Sequence, residues 1–180
     1  THNNRTGKPI AWNSEAIGRF IVHGSYINFK FWKNPTKENL DIIEREFELS
    51  KSMGSEGLVV HLPKNTPDKV ADVMRLLDER KIDHPILLEN HAYKADNKSY
   101  ETPDKLNALT KELDDIKMDW GYCIDTAHIW SNMTVKDREK YAIETSEGFM
   151  NWLNDLSDKT RQKIRWIHFN GSLKEHSCNK

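Results

Sequence analysis

Cysteine is nearly absent from this 180-residue chain, with only Cys123 and Cys178 and no CxxC spacing. A disulfide framework is not indicated, and the pair reads as two free thiols in a reducing compartment. Long apolar runs are also missing. The longest falls far short of the ~20 residues that span a bilayer, so no membrane association is expected. No stretch reads as a signal peptide or low-complexity tail. An excess of one charge sign is lacking as well. The net charge of −1 gives no global electrostatic case for nucleic acid and leaves room only for a local patch. Hydrophobic residues make up 37% and charged residues 31%, a polar balance beside the usual roughly 45–50% and about 25%. Apolar segments nevertheless recur throughout. The length suits one domain, residues 1–180, with one sizeable core.

Five short apolar segments stand out: RFIVH ending at His23, GLVVH ending at His61, PILLEN with Glu89, GYCID ending at Asp125, and RWIHFN with His168. Each is short and rich in β-branched, aromatic or leucine residues, as buried parallel strands are. Helical patterns lie between them. Residues 36–53 open on a Thr36 cap, place Leu40, Ile43 and Phe47 on one face, and end at Gly54. Residues 66–80 and 102–116 both start Thr-Pro-Asp-Lys, a cap followed by proline at the first helical position. A fourth helix is expected over about residues 137–156. The alternation argues for an α/β fold with parallel strands and helical crossovers. Both an open doubly wound sheet and a closed (β/α)8 barrel fit, although a barrel needs eight strands and five are visible.

The segment ends carry His23, His61, Glu89, Asp125 and His168, separated by 38, 28, 36 and 43 positions. In a parallel α/β fold these ends converge on the face that carries the active site. A single strand-end histidine is usually structural, and a strand-end aspartate is often the next helix's cap. Five metal-ligand types on five strand ends point instead to a metal site. Imidazole and carboxylate without thiolate suit zinc, manganese or iron, and one carboxylate can bridge two cations. The pattern therefore indicates a multinuclear hydrolytic or isomerase site. His128 is a sixth candidate, able to serve a second or third ion or to hydrogen-bond Asp125. His2, His84, His91 and His176 lack strand-end context, and His91 reads as loop.

The runs VHGSYIN, LVVHLPKN, LLENHA, CIDTAHIWS and IHFNGS occur in that order, and together they resemble the successive metal-binding motifs of endonuclease IV. This is the family of zinc-dependent apurinic/apyrimidinic endonucleases of base-excision repair. CIDTAHIWS is especially similar to the branch found in large DNA viruses. The resemblance implies a (β/α)8 TIM barrel with three zinc ions, manganese being an alternative. His23 and His61 would bind one ion, Glu89 would bridge to a second held by Asp125 and His168, and His128 would bind a third. Glu89 is thereby also the catalytic carboxylate. Arg5 matches a minor-groove arginine, and Tyr26 and Ile27 match residues that wedge into the duplex. The implied reaction is hydrolysis of the phosphodiester 5′ to an abasic site in double-stranded DNA, leaving a 3′-hydroxyl and a 5′-deoxyribose phosphate. A monomer in the cytoplasm is expected, in a viral factory or virion if the protein is viral, with the nucleus as the other compartment.

The chain departs from that pattern in places. The family's later Asp-x-His pair and final glutamate would fall beyond Lys180, so the chain is expected to be part of a barrel cut at both ends and inactive alone. Only 17 residues separate Arg5 from His23, and Gly171 stands where the family usually has aspartate. Two other readings are kept: a metal-dependent sugar isomerase or epimerase of the same barrel superfamily, and an inactive DNA-binding barrel fragment. Lys30, Trp32 and Lys33 are candidates to flank phosphates and a nucleotide face.

Overall fold

The computed structural model describes residues 18–25, 30–92 and 100–171. Five strands form one parallel sheet in the spatial order β1 (Val22–His23), β2 (Leu58–His61), β3 (Ile86–Glu89), β4 (Trp120–Asp125), β5 (Ile164–His168). Each strand pairs with the next in sequence. A doubly wound sheet would reverse its order at a switch point, and among the described residues there is no reversal. The five strands are thus an arc of a TIM-barrel wall, and the open-sheet alternative falls away.

The helices follow local signals. In α2 (Lys37–Ser52), the Thr36 hydroxyl accepts from the Asn39 amide, and Leu40, Ile43 and Phe47 are buried at helical spacing. Gly54 leaves that helix at φ +74°, a conformation glycine adopts without strain. Helices α3 (Pro67–Glu79) and α4 (Pro103–Glu112) both start on proline, whose missing N–H is not needed in a first turn. A four-residue helix, α1 (Lys30–Lys33), precedes α2.

The expected helix over 137–156 is two helices, α6 (Val135–Tyr141) and α7 (Ser146–Asn154), after a short α5 (Thr126–Asn132). The break falls at Ala142, which is left-handed at φ 43°. Thr145 then restarts the chain by capping the Gly148 amide at 3.0 Å. Helix α8 (Asp158–Gln162) leads into β5.

Strand alternation divides the core in two. Leu58, Val60, Ile86, Leu88, Trp120, Tyr122 and Ile124 face the helices and join the main hydrophobic cluster. Val59, Leu87 and Cys123, with Ile21 and Trp166 against them, form a second cluster on the other face. The residue two positions after each member of that set is His61, Glu89, Asp125, His23 and His168 in turn. The five candidate ligands are therefore the next layer on the concave face of the wall.

Candidate metal centre

Strand register raises the candidates like a stair. His23 lies beside Val59, His61 beside Glu89, Glu89 beside Cys123, and Asp125 beside His168. The last pairing depends on an irregularity. Tyr122 pairs with Ile164 but Cys123 pairs with Trp166, so Arg165 is an extra residue on β5. Without it, Ile167 rather than His168 would stand opposite Asp125.

Glu89 is the hub. Its carboxylate is buried, with Oε2 at 3.0 Å from His23 Nε2 and 2.9 Å from His61 Nε2, and Oε1 at 2.9 Å from His168 Nδ1. Burial alone would raise this acid. Hydrogen bonding to His168, His23 and His61 outweighs it and holds Glu89 well below the usual carboxylate range. Burial also works to lower His23, but the bond to Glu89 more than offsets it and the net shift is upward. His168 is raised chiefly by its bond to Glu89. His61, deepest in the wall, is lowered by burial.

Two backbone carbonyls assign the ring nitrogens. A carbonyl only accepts, so His23 Nδ1 donates to Gly24 O at 2.9 Å and His128 Nδ1 donates to Asn90 O at 2.8 Å. In the neutral form of each ring Nε2 is then the lone-pair nitrogen, the usual arrangement for a histidine ligand. The His23 Nε2 lone pair faces Glu89 Oε2 at 3.0 Å, which is repulsive unless a proton or cation lies between them. The donor set thus fits a borderline divalent cation.

Asp125 caps the next helix and also faces the cluster. Its Oδ1 accepts from the His128 amide at 2.9 Å and so caps α5, while its Oδ2 accepts from Asn170 Nδ2 at 2.6 Å and lies 3.9 Å from His168 Nδ1. The His128 ring does not hydrogen-bond Asp125. It lies 3.9 Å away, and the backbone amide makes that bond instead.

Four groups of side chains offer ligand atoms that all lie within 4.8 Å of one another: His23–His61–Glu89, Glu89–Asp125–His128, Glu89–Cys123–His168 and His61–His91–His128. Burial and the nearby carboxylates push the Cys123 thiol up, which disfavours the thiolate a metal would need.

Sequence reading undervalued several residues. His91 is in a loop as expected, yet its ring stacks on His61 at 3.9 Å between centroids. Burial, with His61 and His128 beside it, pushes His91 down to about 3. Asn90 and Asn170 hold Asp125 through hydrogen bonds. The adjoining LLEN and HFN runs were the available signal for both. Trp32 is no platform for a nucleotide: it is 3% exposed and its Nε1 donates to His61 O at 3.0 Å. Arg5, Tyr26 and Ile27 lie outside the described residues, as do His2, His176 and Cys178. His84 lies away from the site, with its Nε2 2.9 Å from the Ser50 hydroxyl. Among the described residues, no helix is long and apolar enough to cross a membrane.

Comparison with known proteins agrees with this geometry. Residues 15–178 match the family described as xylose isomerase-like TIM barrel. A probable AP endonuclease of African swine fever virus is 26% identical over 119 residues, covering 62% of this chain and 38% of the viral protein. A probable endonuclease 4 of Persephonella marina is 25% identical over 167 residues, covering 87% and 55%. A solved structure described as the crystal structure of AsfvAP:AG superposes with a TM-score of 0.64 at 25% identity, covering 88% of this chain and 52% of that one. The chain thus spans about half the length of the relatives it matches, from 38% to 55%. From the barrel arc, the layer of donors at its strand ends and these matches together, the chain belongs to the xylose isomerase-like TIM barrel family and, within it, is similar to the AP endonucleases of the endonuclease 4 type.

Proposed function

We propose that this chain carries the metal centre of a zinc-dependent endonuclease that cuts duplex DNA 5′ to abasic sites. The observation that carries the reading is the two-sided setting of Glu89, whose oxygens face separate imidazole sets from β1 and β2 on one side and β5 on the other. His23 and His61 with Oε2 would hold one zinc. Oε1 with Asp125 and His168 would serve a second, and His128 a third. Manganese suits the same donors. Bound zinc would supply Lewis-acid polarisation of a phosphodiester and activate water near neutral pH.

The chain's own residues orient this chemistry. The carbonyls of Gly24 and Asn90 hold the His23 and His128 rings in the tautomer with Nε2 available. Asn170 and the α5 amide fix Asp125. Glu89 stays ionised, so its two oxygens remain available as acceptors. Arg5, Tyr26 and Ile27 are assigned to DNA contact, and the exposed Lys30 and Lys33 on α1 to phosphates. Extruding a nucleotide that lacks its base costs less unstacking, which favours abasic sites. We assign the protein to act as a monomer.

The test is incubation of the full-length protein with a duplex bearing one abasic analogue, with and without EDTA, and with Zn2+ added back. Cleavage only 5′ to the lesion, lost with EDTA and restored by zinc, is expected. Intact duplex together with metal-dependent ketose–aldose interconversion would replace this reading with the isomerase one.

A further inference from the structure

His91 has no part in the metal scheme above, yet its ring lies against two members of it. Its ring lies face to face with His61, with centroids 3.9 Å apart and planes at 17°. His128 stands edge-on to both, 5.6 Å from each ring centre and at 79° and 80° to their planes. Stacking places the edges of His61 and His91 side by side. His128 is equidistant from the two.

We propose that His91 is a metal ligand, completing with His61 and His128 a three-imidazole site for a borderline divalent cation such as zinc or copper. The offered nitrogens all lie within 4.8 Å of one another. Three nitrogens at zinc-bonding distance from a shared ion sit about 3.4 Å apart, so closing the set requires the His91 ring to rotate out of its stack on His61. An all-nitrogen donor set without carboxylate selects imidazole-preferring metals over magnesium or calcium. His61 is fully buried, while His91 and His128 are part-exposed, so an ion can enter from the His91 side without crossing the wall.

Asn132 supports the geometry. Its amide donates to His91 O at 2.7 Å and to His128 O at 2.9 Å. One side chain therefore fixes the backbone of both outer ligands relative to each other. The site rests on the metal-centre reading for His61 and His128 but adds a donor that reading does not use. His61 belongs to both sets, which links their occupancies.

Copper is the informative probe because imidazole nitrogens split its electron paramagnetic resonance. Among the described residues, no other candidate group offers more than two imidazoles. The expected result for the chain loaded with one equivalent of Cu2+ is coupling to three nitrogens, falling to two in His91→Ala. In zinc titration calorimetry, His91→Ala should weaken one binding event at least tenfold while Glu89→Gln retains it. Coupling to two nitrogens or fewer in the unsubstituted chain, or coincident zinc isotherms for the chain and His91→Ala, would overturn the site. If His91→Ala loses its fold by circular dichroism, the nitrogen count on the unsubstituted chain decides alone. A Glu89→Gln isotherm equal to that of the unsubstituted chain would instead remove the carboxylate-centred reading and leave this one standing.

Discussion

Asn90 and Asp125 exchange two hydrogen bonds: Asn90 Nδ2 donates to Asp125 O at 3.0 Å, and the Asp125 amide donates to Asn90 Oδ1 at 2.8 Å. A side-chain amide thus imitates a strand peptide and extends the β3–β4 ladder one step past Glu89. The same residue's carbonyl holds His128. Asn90→Ala removes two buried bonds worth about 1 kcal/mol each and leaves the Asp125 peptide unsatisfied. The expected loss is roughly 2–3 kcal/mol in urea unfolding, with weaker zinc binding as Asp125 loosens. Unchanged stability would mean that water replaces the amide without cost.

Gly121 is required by a close approach. A Cβ there would lie 2.8 Å from the Lys163 carbonyl oxygen and 2.8 Å from Arg165 Cδ, against the irregularity that brings His168 to Asp125. Gly121→Ala should push β5 away and cost about 1–3 kcal/mol. Its specific signature is a zinc isotherm that loses the His168-dependent event. A variant with lowered thermal midpoint and an intact isotherm would separate the glycine from the ligand register.

These two positions also mark what the amino-acid order made legible. All five strands were readable because each is a short apolar run closed by a ligand type, and the spacing of 28 to 43 residues forced parallel crossovers. The extra residue on β5 was not readable, because a bulge depends on how two backbones meet. His91 follows a strand rather than ending one, and only folding brings its ring onto His61. Trp32 looked like a surface aromatic between two lysines, but burial under His61 reverses that assignment.

Sequence pattern predicts one continuous helix across the corner between α6 and α7, and Gly148 explains why the chain turns. A Cβ at Gly148 would overlap the carbonyl oxygens of Tyr141 and Ala142. The chain doubles back closely enough that only a hydrogen fits. Gly148→Ala would raise helix propensity in an isolated peptide. Here it should destabilise the fold by more than about 2 kcal/mol, read as a drop in the urea midpoint. A stabilised variant would show that α6 and α7 can fuse.

Zinc binding should release protons, and the sign follows from Glu89. Its charge raises His23 and His168 above the ordinary imidazole value of about 6.5. Both rings are therefore more protonated near neutrality than free histidine, and a cation must displace those protons. Affinity should fall as pH drops through the raised values and level off above them, where the rings are already neutral. Calorimetry at pH 7 in buffers of different ionisation enthalpy measures the release directly. Glu89→Gln removes the charge that raises both rings, so it should reduce proton release at that pH as well as lower bound zinc by elemental analysis. The release is therefore counted per zinc bound, and a variant that kept full proton release per zinc would place the source of the raised imidazoles somewhere other than Glu89.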